Sequence, residues 1–236
     1  MGLTISGGDL GYFASSRFCR RCAWVKLHVK PLPYQSFPGI FSSIDRYNKL
    51  VVNSYFERNG SLPAWLDGLG PVVASIDPPH WSAYSILDPD SGVTLRGEAD
   101  AIFKMADGSY TIIDYKTSRY TPGQRGMFRN YEVQLNSYAY IGERLDFAPV
   151  KGLALAYMEP VTDEETAGLP EITGGQGFNM AFHAKIVPVE VKPARLIPPL
   201  LDRALEIFEM DRRPPGKPGS KDCQAVQILL KGLLDD

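Results

Sequence analysis

Apolar residues change their period along this chain, and the changes divide it into elements. From Ile40 to Glu57, the positions Ile40, Phe41, Ile44, Tyr47, Leu50, Val51, Ser54 and Tyr55 recur at helical spacing. Asn59-Gly60 then ends that helix with residues tolerant of the left-handed conformation. Strand-like patterning follows in Ala83–Leu87, Val93–Met105 and Tyr110–Thr117, separated by Asp88-Pro89-Asp90-Ser91-Gly92 and by Ala106-Asp107-Gly108. Helical spacing returns in Tyr131–Leu145, where Tyr131, Leu135, Tyr138, Gly142 and Leu145 share a stripe. Val150–Met158 and Phe182–Val191 read as strands around a polar, Gly-rich loop at 160–178. Ala194–Met210 and Cys223–Leu230 read as helices, split by the linker Arg213-Pro214-Pro215-Gly216-Lys217-Pro218-Gly219.

Ahead of these elements, Ser6 to about Phe18 predicts a short helix, with Ser6 as N-cap and Asp9 reaching back to it. A Cys19-Arg20-Arg21-Cys22 turn and an extended, Pro-rich arm from Pro31 to Gly39 come next. Residues 60–80, rich in Pro and Gly, predict irregular structure. The element order predicts an α/β fold with a mostly antiparallel meander at its centre, flanked by helices. The expected organisation is a single domain over 1–236, with an N-terminal helix, CxxC and arm (1–38), a core (39–212), and a linker with a C-terminal helix (213–236).

Composition narrows the classes. The 236 residues are 44% hydrophobic and 22% charged, as in ordinary globular proteins. No apolar run is long enough to cross a bilayer, and the start MGLTISGGDLGYF lacks a secretory pattern, so an intracellular address is expected. A net charge of −2 offers no global attraction to polyanions. Nucleic-acid contact would have to use local basic stretches: Arg17, Arg20, Arg21, Lys26 and Lys30 in one, Lys116, Arg119, Arg125 and Arg129 in another. Aromatic neighbours (Phe18, Trp24, Tyr115, Tyr120, Phe128, Tyr131) could stack on bases. The three cysteines, Cys19, Cys22 and Cys223, argue against a disulfide framework and leave metal ligation or plain thiols.

One hairpin carries candidate chemistry. If Ala106-Asp107-Gly108 is a three-residue loop with Gly108 left-handed, Ile102 faces Ile112, Asp100 faces Asp114, and Glu98 faces Lys116, all on one side of the sheet. A two-residue turn would put the aspartates on opposite faces; apolar matching favours the first register. Two opposed carboxylates repel unless a cation or proton lies between them. A hard divalent ion such as Mg²⁺ suits oxygen ligands, and Lys116 points to the same place. Gln134 and Tyr138, four apart, project together from the next helix.

Gly97-Glu98-Ala99-Asp100, Asp114-Tyr115-Lys116-Thr117 and Gln134-Leu135-Asn136-Ser137-Tyr138-Ala139 together resemble the motifs of the PD-(D/E)XK nuclease superfamily, in its RecB-like branch that includes CRISPR-associated exonucleases. The resemblance is close over about 93–140, with a looser likeness in the first helix and cysteine. It implies a restriction-endonuclease-like mixed sheet and an Mg²⁺- or Mn²⁺-dependent DNA nuclease acting as an exonuclease on single strands or duplex ends. Asp100 and Asp114 would be metal ligands, Lys116 catalytic, and Gln134 and Tyr138 active-site or DNA-positioning residues. Helicase, recombination or CRISPR proteins would be partners, and no membrane is implied. The alternative is a catalytically inactive DNA-binding or scaffold subunit. Two departures stand out. Where the family commonly places a His or Glu ligand in its second helix, this chain has Ser43; Asp45, Glu57 or the more distant His80 are substitutes. The family's four-cysteine iron–sulfur site is matched by Cys19, Cys22 and Cys223, with serine at 220, so an iron–sulfur cluster, Zn²⁺ (with Asp222 or His28 as a fourth ligand) or a degenerate staple are all open.

Overall fold

The computed structural model describes residues 2–29, 38–123 and 125–234. The arm expected between Pro31 and Gly39 therefore lies mostly outside the described residues. The strands are β1 (Thr4–Ser6), β2 (Val72–Ile76), β3 (Ser85–Leu87), β4 (Thr94–Arg96), β5 (Ala101–Met105), β6 (Tyr110–Lys116), β7 (Val150–Pro160), β8 (Thr173–Gly174), β9 (Gly177–Phe178) and β10 (Phe182–Val189). The α-helices are α1 (Gly7–Gly11), α2 (Arg20–His28), α3 (Gly39–Asn59), α4 (Arg125–Gly142), α5 (Glu164–Ala167), α6 (Pro193–Leu196), α7 (Pro198–Phe208) and α8 (Lys221–Leu234).

The fold is α/β, built on a five-stranded mixed sheet in the order β10-β7-β6-β5-β2. β2, β5 and β6 form its antiparallel part, β6 and β7 are parallel, and β10 returns antiparallel to β7. The β6–β7 crossover is α4, as parallel neighbours require. A smaller sheet, β1-β4-β3, lies beside it.

Alternation along β5, β6 and β7 sorts the core into two layers. Ile102, Ile112, Leu153 and Leu155 pack with Leu135, Tyr138 and Ile141 of α4. Ala101, Phe103, Ile113, Tyr115 and Ala156 pack on the other face with Val52 of α3, Leu62 and Leu66. Asp114 shares the parity of Ile112 and so faces α4. Its neighbours Ile112, Ile113 and Tyr115 are buried. At about 1.5–3 kcal/mol for each large buried side chain, they outweigh the few kcal/mol that burying one hydrogen-bonded acid costs.

Several local expectations are corrected. Val93–Met105 is not one strand: β4 belongs to the small sheet and β5 to the large one. The break is at Gly97, where a Cβ would come within 2.8 Å of Tyr84 and 2.9 Å of Tyr138. The backbone dives between two rings and must leave one sheet for the other. Residues 60–80 are not wholly irregular, for they contain β2, whose register slips at Val72/Ala74. The 160–178 loop carries α5 and the β8–β9 hairpin. The expected helix from Ser6 to Phe18 is a strand end, the short α1 and a 3₁₀ turn; Ser6 does cap it, accepting from the Asp9 N–H at 3.0 Å. Finally, α3 spans the expected residues but turns its apolar stripe outward. Ile40, Phe41, Tyr47, Leu50 and Val51 are exposed, while Asn48 and Val52 are buried.

Candidate functional site

The β5–β6 register is the expected one: Ile102 pairs with Ile112 and Ala101 with Ile113. Gly108 is left-handed at φ 82° and closes the three-residue loop by donating to Met105 O at 3.0 Å. Regular pairing stops at Ala101, one residue before the predicted opposition of Asp100 and Asp114. Asp100 N–H instead reaches Ile113 O at 3.3 Å, and its Oδ2 accepts from Tyr115 N–H at 2.7 Å. Glu98 likewise leaves the ladder, yet it borders the same cleft as Lys116. The bend at Gly97 swings both acids round the end of the sheet.

Asp114 is the buried centre of the site. Gln134 Nε2 donates to its Oδ1 at 3.1 Å and to the Tyr138 hydroxyl oxygen at 2.7 Å. The Lys116 ammonium pairs with Asp114 and also donates to Gln134 Oε1 at 3.3 Å. Gln134 thus presents its oxygen to a cation and its nitrogen to an anion, the only orientation satisfying both. Lys116 also stands 4.3 Å from the Tyr131 ring centroid. Burial pushes the Asp114 carboxyl up to about 6, with the Lys116 charge opposing and Asp100 and Asp45 adding to the rise. Burial raises Asp100 too, against the pull of Lys49.

Lys49 is the residue sequence reasoning missed. Its ammonium lies 2.9 Å from Asp45 Oδ2 and 2.7 Å from Asp100 Oδ1, joining α3 to the sheet end. The signal available was its position one helical turn after Asp45. Glu57 is exposed and His80 bonds Ser82 at 2.8 Å, so neither joins the acids; Ser43 donates to Gly39 O at 3.2 Å. Of the substitutes for the family's helix ligand, the structure brings Asp45 to the site.

The donor set suits a hard divalent cation: carboxylate oxygens dominate, and buried Asp114 Oδ2 accepts no aligned hydrogen bond although Lys116 lies against it. Two ammonium groups now offset the charge a cation would meet. The three acids are more widely spaced than the cysteine sulfurs described next.

Among the described residues, Cys19, Cys22 and Cys223 are the only group of three or more His, Cys, Asp or Glu whose ligand atoms all lie within 4.8 Å of one another. Lys217 N–H donates to Cys19 Sγ at 3.2 Å, and Arg21 Nη1 lies 3.7 Å from Cys223 Sγ. Burial alone would raise Cys19, but hydrogen bonds from Cys22 and from the Cys22, Lys217 and Arg21 backbone bring it to about 7. Cys22 is pushed up to about 12, by burial first and then by sharing a hydrogen with Cys19. Ser220 bonds the Cys22 thiol and accepts from Cys223 N–H at 3.3 Å, capping α8 where a fourth ligand was sought. His28, stacked between Trp24 and Phe208, is no ligand, and Asp222 is not among the clustered atoms. A Cβ on Gly216 would collide with the Cys223 sulfur.

Three residues of the first basic stretch are engaged within the chain, while Arg17 is exposed and Lys30 lies outside the described residues. Arg20 pairs with Glu206, Arg21 donates to Pro214 O at 3.2 Å, and Lys26 pairs with Asp9 at 2.7 Å. Trp24 donates to Met210 O at 3.0 Å and Phe18 lies under Arg203. In the second stretch, Arg119 pairs with Glu159 at 3.1 Å.

Buried acid, lysine and glutamine on a β-hairpin and its following helix define a class, and the sequence comparison names it. The profile of the PD-(D/E)XK nuclease superfamily matches residues 46–214, and the chain belongs to that superfamily. The match includes Asp100, Asp114, Lys116, Gln134 and Tyr138 and stops short of the cysteines. Among solved structures the chain is similar to SSO0001, known from its crystal structure, with a TM-score of 0.41 and 14% identity over 91% of this chain and 80% of that one. No curated protein matches it. No helix among the described residues is long and apolar enough to cross a membrane.

Proposed function

We propose that this protein is a divalent-metal-dependent DNA nuclease that hydrolyses phosphodiester bonds, with Asp100, Asp114, Lys116, Gln134 and Tyr138 as its working residues. One observation carries the reading: Asp114, buried and with a raised affinity for protons, is held between the Gln134 amide and the ammonium of Lys116, which lines a cleft together with Asp45 and Glu98. Perturbed carboxyls in such settings are characteristic of working sites. Asp100 and Asp114 would hold Mg²⁺ or Mn²⁺, with Asp45 as a third oxygen donor from α3. When bound, the ion would supply positive charge and an activated water at the phosphate. Lys116 orients the attacking water and offsets charge developing on the phosphate. Gln134 fixes both Lys116 and Asp114, and Tyr138 fixes Gln134. Assignment to the RecB-like branch, exonuclease mode, and action on single strands or duplex ends rest on the motif resemblance, as do helicase, recombination or CRISPR partners. The inactive-scaffold alternative is not favoured, since acids, lysine and glutamine stand together.

We also propose that Cys19, Cys22 and Cys223 hold a second, structural metal. Three sulfurs fit Zn²⁺, which can take water as its fourth ligand; a four-thiolate iron–sulfur cluster fits less well because its fourth sulfur is missing.

The test is cleavage of end-labelled single- and double-stranded DNA with Mg²⁺ or Mn²⁺, by wild type and Lys116→Ala. Turnover should vanish with EDTA and fall at least about a hundredfold in the variant. Untouched DNA in the presence of either ion would refute the reading.

A further inference from the structure

The acidic centre does not open onto one cavity. A cleft of about 600 Å³ on one side is lined by Phe41, Asp45, Lys116, Ser118 and Tyr131. Another of about 480 Å³ is lined by Trp81, Arg96, Gln134, Tyr138 and the Gly7-Gly8 backbone. Glu98 borders both. Each lies within the roughly 300–1,000 Å³ of small-molecule sites, so each has room for a nucleotide. A chain passing from one to the other would lie across Glu98, with the Lys116–Asp114 pair on one side and Gln134 and Tyr138 on the other.

Besides Gln134 and Tyr138, the second cleft carries two groups that the acids do not use, Trp81 and Arg96. Trp81 is 43% exposed, in the turn before β3. Two groups contact its indole: the Arg96 guanidinium lies over the ring, 5.2 Å from the centroid, and the His80 ring lies 5.0 Å away, tilted by 45°. Among the described residues no carboxylate pairs with Arg96. A half-exposed indole offers a face to a flat aromatic group, and an unneutralised guanidinium beside it suits a phosphate. Gly7 and Gly8 of α1 line the cleft, and a Cβ on Gly8 would meet nothing nearer than Ser6 Oγ at 4.0 Å. The wall is thus main chain, which a ligand can approach closely.

We infer that this cleft is a base-stacking subsite for single-stranded DNA, in which Trp81 stacks on an unpaired base and Arg96 holds the adjoining phosphate, so that the strand is presented to Asp114 and Lys116 from that side. The inference deepens the nuclease reading and rests on it for the direction of the track. A paired base has its faces covered by neighbours in the duplex, so a lone indole selects the unpaired strand. Trp81 and Arg96 are positioning residues that touch substrate away from the bond broken.

The experiment uses the full chain in EDTA, so that binding is read without cleavage. Fluorescence anisotropy with a labelled single-stranded oligonucleotide is measured for wild type, Trp81→Ala, Trp81→Phe and Arg96→Ala, and the same strand carrying 5-iodouracil is photocrosslinked and mapped by mass spectrometry. Trp81→Ala should weaken binding about tenfold and abolish the crosslink at position 81, whereas Trp81→Phe stays within about threefold. Blunt duplex binding should change less than about twofold in all variants. Equal single-strand affinity in Trp81→Ala, equal losses on duplex, or crosslinks confined to other residues would overturn the inference. With Mg²⁺ or Mn²⁺ restored, the two readings separate. Wild-type cleavage indifferent to Trp81 sinks the subsite and keeps the nuclease; Trp81-dependent binding without cleavage by wild type sinks the nuclease and keeps the subsite.

Discussion

Asp114 sits where a carboxylate is least at home, between two apolar layers, and its titration follows from that. An isolated carboxyl in the unfolded chain ionises near 4, while in the folded protein burial holds Asp114 at about 6. Between those values the folded state binds a proton that the unfolded state has released, so stability falls as pH rises through this window. Asp100 is raised as well and adds in the same direction. Thermal melts of metal-free protein should therefore show Tm declining from about pH 4 to pH 6, with the slope flattened in Asp114→Asn. An undiminished slope in that variant would mean the dependence arises elsewhere. Metal binding needs the ionised carboxylate, so the Mg²⁺-induced rise in Tm should shrink below about pH 6.

At the scale of elements, α3 is the piece whose sequence misleads. Its periodic apolar residues face outward, and its buried side is carried by Asn48 and Val52, with Asp45 and Lys49 half-buried beside them. The helix therefore delivers charge to the sheet end rather than a hydrophobic stripe. Lys49 neutralises Asp45 and Asp100 there. Removing one partner of a buried pair costs about 3–5 kcal/mol; with 30% of the Lys49 side chain in water, roughly 1–3 kcal/mol is expected. Lys49→Ala should lower the Tm of metal-free protein, at about 2–4 °C per kcal/mol, and Mg²⁺ should then raise Tm more than it does in wild type. If the variant melts like wild type with and without Mg²⁺, Lys49 does not hold the acids together.

Over the whole molecule, the two ends of the chain are fastened to each other next to the sulfur cluster. Cys19 caps the start of α2 and Cys22 lies in its first turn, Cys223 comes from α8, and the intervening linker is pinned by Lys217 N–H on Cys19 and by Lys217 Nζ on Ser16 O at 2.8 Å. A metal there would close a loop of most of the chain's length. Elemental analysis of purified protein should find Zn²⁺ near one ion per chain, and Cys223→Ser should lose it and melt several degrees lower, on the scale of about 2–4 °C per kcal/mol. Metal-free protein, with Cys223→Ser melting as wild type, would leave the trio as a packed thiol staple.

Much of this was legible because it is local. The β5–β6 register follows from a turn glycine and alternating isoleucines, and the spacing of Gln134 and Tyr138 on α4 follows from helical geometry; these properties are written in contiguous residues. The identity of the superfamily lay in the same stretches. What only the tertiary structure decided depends on residues distant in sequence meeting in space. Gly97 breaks a strand because Tyr84 and Tyr138 close on it, Asp100 turns to Tyr115 because the ladder ends there, and Ser220 hydrogen-bonds to Cys22 and to the Cys223 N–H while Asp222 and His28 stay outside the sulfur group. Lys49 and Asp45 join the site because packing, which no period in α3 announces, turned that helix's polar side inward. Sequence patterns report what each segment can bury; which face it does bury depends on every other segment competing for the same core.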